Sequence, residues 1–365
     1  LPDTASQSPR KDAPNTLKGA VFVVLALACA VPWPVPSLAA WTLALGILVG
    51  LLNFSAWPKQ SKIVSRWLIQ GAIVALGLRI DIHQLLGEAM DGFSLALATI
   101  LGALGLGWVL ARVLRVPSDL GALVSSGTAI CGGSAIAAVG SAIRAKSSDM
   151  AIATAVVFVL NAVGVFVLPV VGQRAGLDAQ QFGAWAGVAI HDMASVNAVA
   201  KDYRPAAPDI ARGLAPESAE ASGAPSAALD TANIVKLTRV IWIAPIALVA
   251  AWWWDRARRW ADASDDEAGR ADAAAAPSAW RRFASIMPWF IVWFVGACVL
   301  RTLVPGLADA ADEVKLVSGC AFQVALFLIG TGVSRAALRE AGPRALVHAT
   351  VLWIALAGAT LFVIR

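Results

Sequence analysis

Apolar runs long enough to cross a bilayer, about 20 residues each, follow one another along almost the whole chain. They fall at 17–31, 38–54, 64–80, 92–112, 119–143, 148–172, 180–200, 230–253, 284–304, 313–332 and 344–364, with short polar connectors between most of them. The pattern predicts an all-α polytopic membrane protein with about eleven spans, the first of them short. Two spans break the Leu- and Val-rich pattern. In the fifth, SSGTAICGGSAIAA runs from Ser125 to Ala138; in the seventh, GVAIHDMASVNAVA runs from Gly187 to Ala200. Backbone that leaves the helix at membrane depth must be buried in protein or line a wet cavity. Paired interruptions of this kind point to a transporter's binding site. The two segments are therefore expected to be broken helices that cross near the bilayer midplane.

A short motif recurs: Gln70-x-Ala72 with Gly77 and Leu85, then Gln323-x-Ala325 with Gly330 and Leu338. An odd number of span steps separates the copies, which predicts two inverted repeats. With the N-terminus cytoplasmic, about eighteen basic residues fall inside and about nine outside, among the former Lys59, Lys62, Arg112, Arg115, Arg256 and Arg339. That bias predicts N-in and C-out. Arg144 and Lys146 fall on the wrong side, an objection to treating 119–143 as a full crossing. The acidic connector 201–231 is expected outside, and the Ala-, Asp- and Arg-rich connector 255–283 in the cytoplasm. Residues 1–16 read as a disordered polar tail unlike a cleavable signal peptide, and 17–365 as a single transmembrane domain.

Composition agrees. The chain is 58% hydrophobic and 15% charged with a mean hydropathy of +0.70, outside the range of soluble domains. It has 15 Trp against one Tyr, and Trp252-Trp253-Trp254 reads as an interfacial belt. The pI near 9.3 comes from basic residues scattered between spans, so it signals orientation and not nucleic-acid binding. Cys29, Cys131, Cys298 and Cys320 form no CxxC, and His83, His191 and His348 show no ligand spacing. No disulfide framework, metal site or cofactor is expected. Walker A, HExxH and GxSxG sequences do not occur, so neither ATP drive nor hydrolysis is predicted, and the chain is not read as an enzyme.

Chemistry concentrates at the interruptions. Gly127, Gly132 and Gly133 each weaken a helix by about 1 kcal/mol relative to Ala, while Ser125, Ser126, Thr128 and Ser134 can bond the freed backbone. A half-helix starting near Gly132 would aim N–H groups and a positive dipole end at the midplane, which suits an anion. Close helix packing by small residues is the alternative. His191 and Asp192 are ionisable residues in an apolar setting, a functional-site expectation by default, although a wet half-span would also hold them. Asp192 or Ser195 could cap a following half-helix. Lys236 and Arg239, three apart, share a helix face with Asn233; snorkelling to the surface is the competing explanation. Arg79 and Asp81 read as an interfacial pair, and Asn161 as an interhelical hydrogen bond.

In order and spacing, SSGTAICGGSAI, AIHDMASV, VKLTRVIWIAP and TGVSRAALREAG resemble signature segments of the YeiH-like sulfate exporter family. The similarity covers roughly residues 17–364. That family is grouped with transporters of the sodium/proton antiporter and bile-acid type, so the resemblance implies two inverted repeats with crossing broken helices, and secondary transport of sulfate or a related anion. A homodimer is expected only because such folds often make one. Many members carry His-Glu-Val-Ala-Gln where this chain has His191-Asp192-Met193-Ala194-Ser195, a departure that bears on substrate choice.

The site is thus expected to bind a small anion through N–H groups at Gly132, Gly133 and Ser134, with Cys131 in the same loop, and through Thr128, His191, Ser195, Lys236 and Arg239. His191 and Asp192 would carry a coupled proton, Asp192 holding the imidazolium. The expected place is a bacterial inner membrane, with proton or sodium as coupling ion and the lipid bilayer as surroundings. A cation/proton antiporter using Asp192, or a non-transporting membrane sensor, stay open as alternatives.

Overall fold

A computed structural model describes residues 16–33, 38–201, 203–205, 224–262, 289–308, 310–333 and 335–365. Residues 1–15 of the tail expected at 1–16 and most of the connectors expected at 201–231 and 255–283 lie outside the described residues. The described chain is helical throughout, without strands. In order come α1 (Thr16–Ala30), α2 (Leu38–Leu51), α3 (Pro58–Gly77), α4 (Ile82–Val113), α5 (Ser118–Ala129), α6 (Gly133–Ala142) and α7 (Ser147–Arg174). Then follow α8 (Ala179–Ala189), α9 (Met193–Lys201), α10 (Ala224–Val240), α11 (Ile243–Asp262), α12 (Trp289–Leu303), α13 (Ala311–Gly330) and α14 (Arg335–Ile364). Among the described residues five stretches are long and apolar enough to cross a membrane: Phe93–Val113, Ser147–Arg174, Ala227–Ala257, Ala311–Gly330 and Gly342–Ile364.

Both expected interruptions exist, at 130–132 and 190–192, but neither lies within a helix that crosses. Each is the tip of a re-entrant hairpin. In the first, α5 and α6 pack side by side: a Cβ on Gly127 would meet Ile136 at 2.9 Å, and one on Gly140 would meet Leu123 at 3.2 Å. A helix rises 1.5 Å per residue, so Leu123 and Gly140 would be about 25 Å apart along one axis. In the second, the base is closed by Tyr203, whose hydroxyl donates to the Leu177 carbonyl at 2.8 Å and whose ring stacks on Phe182 at 3.5 Å. Crossing broken helices at 119–143 and 180–200 are therefore replaced by two hairpins. The helix α7 runs between their bases, so they enter from opposite faces.

With the hairpins set aside, α1, α2, α3, α4, α7, the α10–α11 pair, α12, α13 and α14 make up the rest of the described bundle, the short α1, α2 and α12 being apolar like the longer helices. Replacing two crossings together leaves the parity between the two ends of the chain unchanged. The re-entrant geometry moves Arg144 and Lys146 to the face that carries Lys59, Arg112 and Arg256. It removes the objection they raised. The turn at 241–242 between α10 and α11 sits four residues before Pro245, whose ring displaces the carbonyl one turn back.

The two copies of the repeated motif lie on α3 and α13, which pack antiparallel: Ser318 meets Ala72, while Phe327 clusters with Trp57 at the other end. Their glycines match in role. Gly77 leaves room for the Phe294 carbonyl of α12, and Gly330 for the backbone of α2 at Gly46 and Ile47. Both approaches are closer than a Cβ permits. Arg79 pairs not with Asp81 but with Asp230, at 3.2 Å. Asp81 instead caps α4, accepting from the His83 N–H at 2.7 Å.

Candidate functional site

The hairpin tips touch each other. Gly132 has φ 64° and ψ −121°, a conformation reserved for glycine, and a Cβ there would stand 3.3 Å from the Cβ of His191. Halfway along α7, Asn161 holds the second tip. Its carbonyl oxygen accepts from the His191 backbone N–H at 2.8 Å and faces His191 Nδ1 at 2.8 Å. Its amide nitrogen donates to Asp192 Oδ2. Because the carboxylate fixes which end of the amide is the donor, Nδ1 must carry a proton to meet the oxygen. In the neutral ring Nε2 is then an acceptor, and it is buried without a partner.

Four half-helix ends converge here, and three are capped by charged side chains. Lys236 donates to the Ile190 carbonyl at the end of α8. Beside it, the Trp353 indole N–H reaches the Ala189 carbonyl at 2.7 Å. Arg239 donates to the Ala129 carbonyl at the end of α5 and to the Thr99 hydroxyl at 2.7 Å. Cations at helix C-termini complement the negative dipole end. Asp192 caps α9, accepting from the Ser195 N–H at 2.8 Å and the Ser195 hydroxyl at 2.6 Å. The fourth end, the N-terminus of α6, has Gly132 at its cap and no side-chain acceptor. Only the Cys131 sulfur, a weak acceptor, faces the Ala135 N–H and the Ser134 hydroxyl.

The expected residues thus divide. Thr128, Cys131, Gly132, His191, Lys236 and Arg239 are brought together and buried. Lys236 and Arg239 are both 0% exposed, which excludes snorkelling. Ser134 lies on the exposed side of α6 and Gly133 is half-buried against Phe158. Ser195 is spent on Asp192. The Asp192 carboxylate does not hold the imidazole; Asn161 stands between them. Asn161 and Thr99 are the site residues that the sequence reading missed as such. A single Asn or Thr in an apolar span carries no local signal beyond an interhelical bond, which is what Asn161 makes.

Formally the centre holds two cations and one carboxylate, with no direct ion pair joining them. Three buried polar atoms around the tips lack partners among the described residues: Thr128 Oγ1, His191 Nε2 and Arg239 Nε. Leaving such a group unmet costs about 1–3 kcal/mol. The arrangement is suited to a small ligand that accepts from Thr128 and Arg239 and fills the open α6 terminus.

Comparison with known proteins bears on the class. Residues 16–349 match the family model described as conserved hypothetical protein 698. A UPF0324 membrane protein of Geobacter sulfurreducens is 33% identical over 351 residues, 96% of this chain and 97% of the relative. One from Vibrio parahaemolyticus is 34% identical over 314 residues, 85% of this chain and 88% of its own. A third, from Bacteroides thetaiotaomicron, is 29% identical over 337 residues, 90% and 88% of the two chains. No solved structure matches.

Proposed function

The chain belongs to the conserved hypothetical protein 698 family of UPF0324 membrane proteins, and from that premise we propose that it is a secondary transporter for a small anion. Sulfate, sulfite or a sulfonate-like anion is the substrate class, exported across the bacterial inner membrane with the basic face in the cytoplasm. The observation that carries this reading is the uncapped α6 terminus set beside Lys236 and Arg239, with Thr128 and His191 unpartnered. Moving an anion to midplane without donors would cost several kcal/mol. A helix N-terminus supplies donors without a full charge, so the anion can leave again.

Proton coupling runs through His191. Neutral, its Nε2 presents a lone pair that repels an anion; protonated, the same atom donates. A negative charge bound beside the ring favours its protonated form, so the anion brings the proton onto His191. Proton and anion binding are then mutually favourable and the two move in the same direction. A dianion leaving with one proton carries net negative charge outward, which an inside-negative potential favours by about 2.3 kcal/mol per charge per 100 mV. Cation antiport through Asp192 draws less support, because Asn161 and Ser195 already occupy both of its oxygens.

Flux of labelled sulfate, sulfite and an organosulfonate in proteoliposomes tests the proposal. Lys236→Ala should raise the half-saturating anion concentration about tenfold or more, the worth of a charged hydrogen bond. His191→Ala should remove the coupling of flux to protons, leaving its pH profile flat where the parent's is not. Unchanged affinity and pH profile in both variants would overturn the site.

A further inference from the structure

On the face opposite the basic one, a cavity of ≈ 90 Å³ opens between α9, α13 and the start of α2. A water needs about 10–15 Å³ by this measure, so the space holds several waters or one small hydrated ion. Lys201 and Lys315 both line it, together with Asn197, Ser318 and Gln323. No carboxylate lies within ion-pair distance of either ammonium among the described residues. Lys315 is half-buried and has Arg79 and then Lys201 as like charges around it, with Asp312 and Asp230 as opposite ones; Arg79 is itself paired with Asp230. The Lys201 ammonium occupies the place a side chain would take on Gly319, 3.1 Å from its would-be Cβ. Gln323 is 6% exposed and its Oε1 has no partner. A half-turn of that amide, which leaves its shape unchanged, presents the NH₂ instead.

The floor of the cavity leads inward. Asn197 and Asn233 bond reciprocally at 2.9 and 3.0 Å. Asn233 stands one helical turn before Lys236, on the same face of α10. A column of polar groups therefore runs from the Lys201 and Lys315 ammonium groups, through an amide pair, to the central cations.

We propose that this cavity is a second binding station for a free small oxyanion, separated from the central site by the Asn197–Asn233 pair. Its place on the transport path rests on the anion reading of the centre; the binding itself does not. Two ammonium groups sharing one small cavity repel each other until an oxyanion bridges them, and the Gln323 amide completes the donors, while the Ser318 hydroxyl beside it donates to the Ala72 carbonyl. A phospholipid phosphate has the same chemistry, so the test separates the two sources.

Sulfate binding is measured by calorimetry on the full chain in phosphate-free maltoside micelles, in a Lys236→Ala background that weakens the central site. A weak site should remain. Lys201→Gln with Lys315→Gln should weaken it about tenfold or more, whereas Lys201→Arg with Lys315→Arg should keep it and shows that the fold tolerates change there. An isotherm indifferent to the double Gln variant overturns the station. Adding phosphatidylglycerol to the micelles should leave sulfate affinity unchanged; competition by the lipid would overturn the proposal in favour of a headgroup site. Absence of sulfate flux in liposomes with this binding intact would fell the transport function alone.

Discussion

Residues at the hairpin tips show how far a single position can be read in isolation. His191 and Asp192 stand out because ionisable groups in an apolar segment are costly. Lys236 and Arg239 stand out for the same reason. Apart from Ser195 beside Asp192, their partners do not: they are one Asn, one Thr and two backbone carbonyls, 30 or more positions away in the chain. Asn161 is the clearest instance: it reads as one more interhelical bond, yet it holds the backbone of His191, the ring of His191 and the carboxylate of Asp192 at once. Asn161→Ala leaves those groups unmet, at about 1–3 kcal/mol for each buried group so orphaned. The variant should melt several degrees below the parent and lose the pH dependence of flux, while its half-saturating anion concentration shifts less than in Lys236→Ala. A wild-type pH profile in Asn161→Ala would show that the orientation of His191 does not depend on this amide.

At the level of elements, the positions of both breaks were legible and their geometry was not. The arms α5 and α6 with their tip occupy 118–142, and α8 and α9 occupy 179–201. Each hairpin therefore has the length and apolarity of one span, and hydropathy cannot tell a helix that crosses from two half-helices that return. What discriminates is contact between the ends. Tyr203, the one tyrosine in the chain, closes the base of the second hairpin against Leu177 and Phe182. Burial, with Asp178 adding to it, pushes its phenol up to about 12. Raised above the ordinary value near 10, it contributes stability that is present below pH 10 and lost as pH rises from there through about 12. Difference absorbance of tyrosinate against the Tyr203→Phe variant should give a midpoint near the upper end of that window. A midpoint near 10 would mean an exposed phenol and an open base, as a crossing segment would have.

Over the whole molecule, the basic-residue bias carried more information than the count of spans. Counting both hairpins as crossings put Arg144 and Lys146 on the face away from the other basic residues while leaving the relative placement of the two ends unchanged, because two crossings are exchanged together. The fold brings these two back: α5 enters and α6 leaves on the face where Lys59, Arg112 and Arg256 lie, and Arg174 passes to the opposite face at the far end of α7. The same parity keeps α3 and α13 antiparallel, which the repeated motif required. In a background with the four native cysteines replaced, the exposed residues Ser118 and Ser147 flank the first hairpin. The exposed Gln180 and Arg204 flank the second. Membrane-impermeant thiol reagents on intact cells should leave Ser118→Cys and Ser147→Cys unlabelled and label Gln180→Cys and Arg204→Cys. On inverted vesicles the pattern should reverse, each pair moving together. If Ser118→Cys and Ser147→Cys label from opposite sides, the first segment crosses the membrane. The tips would then not meet from opposite faces, and the anion site built on that meeting would fall with them.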